Sequence, residues 1–345
     1  MGIAYRYHVP MVTLSDVAKA AGVSLATASR AFNGSRDRRV RPELRDRVLE
    51  AARRLNYTPN AAAQQLAGGE TKSVALVVHN IADPYFSSIA AGVERGASAF
   101  GGIVTLASTG TGVDSQIQVL ETLRRQRPRA LVLVGGVRDD PDDLSRLRAA
   151  LSDFRALTGA GVAHVGQPVL GVSTVAVDNE AGAADLATAL AGEGFSRFAV
   201  LSGPPGHLTA AARARGFAAA MAAAGVAHDP DIPGEFTRDG GYAAMEALLA
   251  RDERPDLVFA VNDVMAVGAM AAARELGVRV PDDIRVAGFD DIVTLRDITP
   301  SLTTVHLDLE DIGERAVRLA LDDQEAGPHT VVVGGSVILR ESTRR

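Results

Sequence analysis

The chain has 345 residues and is 47% hydrophobic and 23% charged, which suits two or three folded domains and excludes a disordered chain. It has no cysteine, which excludes a disulfide framework, thiolate catalysis and cysteine-ligated zinc. The net charge is −6, but residues 1–72 hold 12 basic and 6 acidic residues, so a head of +6 precedes a body of −12.

That layout is the footprint of a nucleic-acid-binding module on a regulatory one, although a solvated basic surface has the same charge. No apolar run approaches the roughly 20 residues that cross a bilayer. The opening MGIAYRYHVPM lacks the apolar stretch of a secretory signal, so a cytoplasmic protein with no membrane partner is expected.

The first helix is expected after Thr13, where Asp16 three residues on gives a capping-box-like start. Leu14, Val17, Ala18 and Ala21 recur at helical spacing, and Gly22 supplies the left-handed stop. Ser24 caps a second helix to about Phe32, ended by Asn33-Gly34. Two short helices around a tight glycine turn make a helix-turn-helix, whose second helix lies in the DNA major groove. Pro42 opens a third helix with an apolar stripe of Leu44, Val48, Ala52 and Leu55.

The string VTLSDVAKAAGVSLATASRAFNG, followed by RVLEAARRLNYTPNAAAQQLAGG, resembles the DNA-binding head of the LacI/GalR (lactose-repressor) family over residues 12–69. The resemblance implies base reading by Leu25, Ala26 and Arg30. Only Arg30 has a fork that can bond guanine O6 and N7. Thr13, Ser24, Thr27, Ser29 and Asn33 match phosphate-holding positions, and Tyr57 matches a packing and backbone-contact position. Asn60, Ala63 and Leu66 fall in the matching hinge segment. There the family folds a short helix on operator DNA and wedges a leucine, here Leu66, into the minor groove at a central CpG step. Each position also has a plainer reading: Ser24 as a cap only, Tyr57 as core only. The link GSRDRR after Asn33 is about two residues longer than in the lactose repressor and unusually basic. Arg41 stands where a small cap is usual, and residues 1–10 precede the usual family start at Met11, either as an extension or through a misassigned start codon.

From Ser73 on, apolar β-rich runs alternate with alanine-rich helical stretches, which implies two doubly wound lobes with parallel sheets. Ligands of such sheets bind beyond the carboxyl ends of the strands. The segments there, from HNIADPYF through VDNEAGA, GPPGHLTAAARARGF, GEFTRDGGYAAM and AVNDVMAVGAM to VAGFDD, resemble sugar- and purine-repressor segments of the same family in the same order. The implied fold is an all-α helix-turn-helix head (12–58), a hinge helix and linker (59–72), and a two-lobed α/β core like the periplasmic binding proteins (73–345). Lobe 1 is expected at about 73–175 and 304–330, and lobe 2 at about 176–303 and 331–345.

Carried over by position, the effector contacts are Tyr85, Phe86, His207, Thr209, Arg213, Phe236, Asn262, Asp263 and Asp290. Arg213 and Asp290 suit sugar hydroxyls, and Phe236 offers an apolar face. Asp290 as a helix cap, the phenylalanines as packing, and Asn262-Asp263 as a strand end are the plainer alternatives. His207 stands where the purine-binding member has arginine, which favours a sugar over a purine. GxxxxGK[ST], HExxH and GxSxG are absent, the seven histidines lack ligand-like spacing, and no cofactor, metal or enzymatic activity is expected.

The reading is a dimeric repressor on a pseudo-palindromic operator, controlled by a small effector between the lobes. ILRESTRR at the end has no heptad that would suggest a tetramer. The sign of the response, the effector and the operator stay open, and an activator or corepressor-dependent member is the alternative. A sugar receptor without a DNA role is disfavoured by the head.

Overall fold

The computed structural model describes residues 12–33, 40–57, 71–326 and 328–344. The expectations for residues 1–10, the basic link 34–39, the Asn33 side chain, and Asn60, Ala63 and Leu66 lie outside the described residues. The chain falls into two units, 1–71 and 72–345, each with its own core.

In the first unit, helix α1 (Leu14–Ala21) begins with a full capping box. The Thr13 hydroxyl accepts from Asp16 N–H, and the Asp16 carboxylate accepts from Thr13 N–H at 2.9 Å. Gly22 ends the helix at φ +64°, and beside it Arg47 donates to the Ala21 carbonyl at 2.6 Å. Ser24 Oγ accepts from Thr27 N–H at 3.1 Å to start α2 (Leu25–Asn33). Pro42 starts α3 (Pro42–Arg54), where Arg41 provides no side-chain cap. Val17, Ala28, Val48 and neighbouring alanines fill the space between the helices, with the Phe32 and Tyr57 rings 5.6 Å apart at its margin. Small side chains let three short helices approach closely enough to exclude water.

The second unit has strands β1 (Ser73–Val78), β2 (Ile103–Ser108), β3 (Ala130–Val134), β4 (Gly161–Val165), β5 (Ser173–Val177), β6 (Arg197–Gly203), β7 (Ala227–His228), β8 (Ile232–Pro233), β9 (Leu257–Ala260), β10 (Arg285–Ala287), β11 (Thr304–His306), β12 (Thr330–Val333) and β13 (Ser336–Ile338). One parallel sheet runs β12-β5-β4-β3-β1-β2, and a second runs β10-β9-β6-β7 with β8 also on β6. The central strands β3 and β4 are buried throughout and β6 over most of its length, because helices cover both faces. The chain passes between the lobes after β5, through β11, which pairs antiparallel with β13, and after β12.

The lobe boundary differs from the sequence expectation at two crossings: β5 stays in the first sheet through Val177, past the expected 175/176. Thr330–Val333 pairs in register with Thr174–Val177 and so belongs to the first sheet, whereas a crossing at 330/331 was expected. The break falls at Gly334-Gly335, inside what reads in sequence as one apolar run, TVVVGGSVIL.

The helix Leu309–Ala326 lies so close to β4 that a Cβ on Gly161 would stand 1.7 Å from the Ala320 carbonyl oxygen. Gly161→Ala is expected to destabilise the second unit by about 1–3 kcal/mol through overpacking, read as a lower melting temperature. Unchanged melting would mean that the helix can retreat at no cost. Among the described residues, no helix is long and apolar enough to cross a membrane.

Candidate functional site

In the head, α2 exposes the candidate base readers. Leu25 is 54% exposed, Ala26 is exposed beside it, and Arg30 lies one turn on, its Nε donating to the Ala26 carbonyl at 2.9 Å. Thr13 and Ser24 are exposed at the two helix starts, where N-terminal N–H groups suit phosphate. Thr27 shares a 2.9 Å hydrogen bond with Ser24, and Ser29 is half-buried on the same helix. Tyr57 packs on Phe32, as its plainer reading requires.

In the second unit, the carboxyl ends of the strands of both sheets enclose one cavity. His79 and Asp83 follow β1, Gly135 and Gly136 follow β3, and Gly166 follows β4. Asn179 follows β5, His207, Thr209 and Arg213 follow β6, and Asn262 and Asp290 follow β9 and β10. Tyr85, Phe86 and Phe236 form apolar walls. The lobes meet at its rim: Leu208 N–H donates to the Val137 carbonyl at 3.0 Å, Asp139 N–H to the Gly206 carbonyl at 2.8 Å, and Thr209 Oγ1 to Gln167 Oε1 at 2.9 Å. About 40 Å³ remains inside, room for a few waters, so the lobes are closed on one another.

Arg213 organises the chemistry. It is 2% exposed, and its guanidinium donates to Asn179 Oδ1 (2.7 Å), the Val261 carbonyl (2.8 Å) and Asp290 Oδ1 (2.8 Å) while lying 3.9 Å over the Phe289 ring. Asp290 adopts φ +119° and the next residue, Asp291, φ +56°, left-handed conformations that cost strain outside glycine. The ladder bonds from Asp290 N–H to Val305 and from Leu307 N–H to Asp290 hold that turn. Burial raises the Asp290 carboxyl, and the Arg213 charge opposes the rise.

Two histidines line the same space, and a third, His164, lies buried behind it. His207 caps the helix Leu208–Ala223, accepts from Ala210 N–H through Nδ1 at 3.3 Å, and stacks on Phe236 at 4.7 Å. His79 lies 3.1 Å from Gln116 Nε2. Burial pushes both rings down to about 4. His164, completely buried, places its nitrogens on the Gly135 and Gln167 carbonyls, and burial lowers it too. His79 and His207 are therefore uncharged at neutral pH.

The cavity brings together eight of the nine effector candidates and leaves out Asp263. Asp263 is 0% exposed and accepts from Thr304 Oγ1 (2.7 Å) and Ile292 N–H (3.0 Å), so it ties a crossing strand instead of facing a ligand. The neighbouring Asn262 does line the cavity, its Oδ1 accepting from Met265 N–H at the helix start. Consecutive residues at a helix start point in different directions, which spacing in the sequence does not reveal. His79, Asp83, Asn179 and Gln167 were not singled out in the sequence. The first three stand in or beside segments already recognised as strand ends, but Gln167 carries no local signal. Among the described residues, no group of three or more His, Asp or Glu could hold a metal ion.

Comparison with known proteins gives the same two parts. Residues 13–60 match the model of bacterial regulatory proteins, lacI family, and residues 187–343 match a periplasmic binding protein-like domain. An HTH-type transcriptional repressor PurR of Mannheimia succiniciproducens is 34% identical, with 97% of this chain and 99% of the relative covered. A repressor of the same name from Erwinia tasmaniensis is 34% identical, with 90% of each covered. Among solved structures, a transcriptional regulator CelR in complex with cellobiose is 32% identical with a TM-score of 0.68, covering 96% of this chain and 99% of that one. The lac repressor dimer bound to operator and the anti-inducer ONPF is 27% identical with a TM-score of 0.84, at the same coverage.

Proposed function

Because this chain belongs to the LacI family of bacterial regulatory proteins, a DNA-binding repressor controlled by a small-molecule effector, we propose that its effector is a sugar held in the interlobe cavity by Arg213 and Asp290. The observation that carries the reading is the buried Arg213–Asp290 pair at the carboxyl ends of lobe 2 strands, roofed by Tyr85 and Phe86 from lobe 1. Arg213 keeps N–H groups beyond the three it spends, and Asp290 keeps its second oxygen, so a hydroxyl can accept from one and donate to the other. Phe236 with His207, and Phe86 with Tyr85, offer apolar faces to the C–H side of a ring. The cellobiose complex of a 32% identical regulator supports a saccharide as the class.

The remaining site residues keep their proposed roles: Leu25, Ala26 and Arg30 on base edges, Thr13, Ser24, Thr27, Ser29 and Asn33 on phosphates, and Asn60, Ala63 and Leu66 in the hinge at a central CpG. Two copies then read a pseudo-palindrome, and the exposed Ile103 and Leu106 of edge strand β2 suit contact with a second copy. Mobility-shift titration with and without a sugar panel tests the effector. At least a tenfold change in operator affinity is expected for one sugar, and no change with any of them would remove the reading. Arg30→Ala is expected to cost about 1–3 kcal/mol at the operator and to relax preference at one base pair per half-site. Equal weakening on operator and random DNA would make Arg30 a phosphate clamp.

A further inference from the structure

The charges around the cavity favour one kind of sugar over another. Among the described lining residues the charged groups are Asp83, Arg213 and Asp290. Arg213 is already bridged to Asp290, which leaves the Asp83 carboxylate without a compensating cation. One oxygen of Asp83 accepts from Tyr85 N–H at 2.9 Å, and no other partner of the side chain is found among the described residues. The two lining histidines, His79 and His207, add no positive charge at neutral pH. Arg138, the remaining cation whose charge reaches His207, is exposed and outside the lining.

The other common way to hold an anion is a helix start, whose free N–H groups point at the ligand. Four helices begin at this cavity, and at each start a side chain of the chain itself already takes one of the orphan N–H groups. Asp83 caps Pro84–Ser98, Asp178 caps Asn179–Ala191, His207 caps Leu208–Ala223, and Asn262 caps Asp263–Glu275. Two of these caps are themselves carboxylates. A phosphate or carboxylate placed here would meet Asp83 in a closed, water-poor space whose one lining cation is already bridged and whose helix starts each already share an N–H group with a side-chain cap.

We propose that the cleft selects an uncharged, unphosphorylated saccharide and refuses its phosphorylated counterpart, with Asp83 as the residue that sets this preference. The proposal rests on the sugar reading above and deepens it. Hydroxyl groups are donors and acceptors at once, so they use the second oxygen of Asp83 and of Asp290 without bringing a charge.

Calorimetric titration of the full chain at pH 7.5 with ribose, glucose, galactose and cellobiose, each beside its phosphate ester, tests it. The uncharged member of at least one pair should bind, with its ester at least about 100-fold weaker, the scale of one unpaired buried charge. Asp83→Asn keeps the helix cap, since asparagine caps as well as aspartate, and should shrink that gap about tenfold. An ester that binds as tightly as its parent sugar, or an unchanged gap in Asp83→Asn, overturns the proposal and leaves the sugar reading standing. If none of the eight compounds binds, the sugar reading falls and this proposal with it.

Discussion

Arg213→Ala is expected to lower the unfolding free energy by about 3–5 kcal/mol and to abolish the response to effector, the largest change any single substitution should produce. The reason is burial. Arg213 and Asp290 are 2% and 3% exposed, so removing the cation strands a carboxylate in a dry cavity. Asn179 and the Val261 carbonyl lose their donors, and the Phe289 face loses its cation. From the sequence, each substitution is expected to leave DNA binding intact and abolish the response, with a structural bridge between the two residues as the plainer alternative. The observed 2.8 Å bridge makes stability and response fall together, so the single variant does not separate a ligand contact from a structural pair. The double variant Arg213→Met, Asp290→Asn separates them. Removing both charges should restore most of the stability, because a neutral pair costs far less to bury than a lone carboxylate. Denaturant midpoints and operator titrations read the two effects independently. A double variant that recovers stability but stays deaf to the effector assigns the pair to ligand binding. One that recovers both properties assigns it to structure alone.

This pair also marks where the sequence was legible. The parallel lobes follow from apolar runs alternating with helical stretches, and sheet topology then puts ligand chemistry at the strand ends. Arg213 and Asp290, 77 residues apart, could be named because each follows its own strand, but that they bond each other is a tertiary fact. The head was more legible still: Thr13, Asp16 and Gly22 act as caps through neighbours at most four residues away. What stayed hidden depends on the meeting of two lobes. Gln167 accepts from Thr209 across the cleft, with nothing local to distinguish it from an ordinary loop residue, while His79 and Asp83 line the cavity from the same lobe as Gln167. The placement of Thr330–Val333 was missed for a related reason, since an apolar strand carries no mark of which sheet will take it.

Asp263→Asn is expected to make the protein more stable at pH 8 by about 2–4 kcal/mol, and to leave it unchanged at pH 4. Asp263 opens the helix Asp263–Glu275 at 0% exposure, between Thr304 Oγ1 and Ile292 N–H, with its own N–H on the Phe289 carbonyl. Burial raises its carboxyl from 3.8 to about 7, the charges of Asp290 and Asp291 push the same way, and the two hydrogen bonds restrain the rise. A carboxyl whose folded value is raised holds its proton in the folded state after the unfolded chain has released it. Its contribution is therefore fully present below about pH 4 and is lost as pH climbs towards 7, at about 1.4 kcal/mol per unit. Asparagine never ionises, and it can accept from Ile292 N–H while donating to Thr304 Oγ1, so both bonds survive without the charge. Because Thr304 begins the strand that crosses between the lobes, the same ionisation loosens a crossing and not merely a helix end. Melting curves of both proteins at pH 4 and 8 measure the difference. A variant less stable than the parent at pH 8 would mean that the ionised carboxylate is itself the favourable form there, held by its two donors strongly enough to offset its burial.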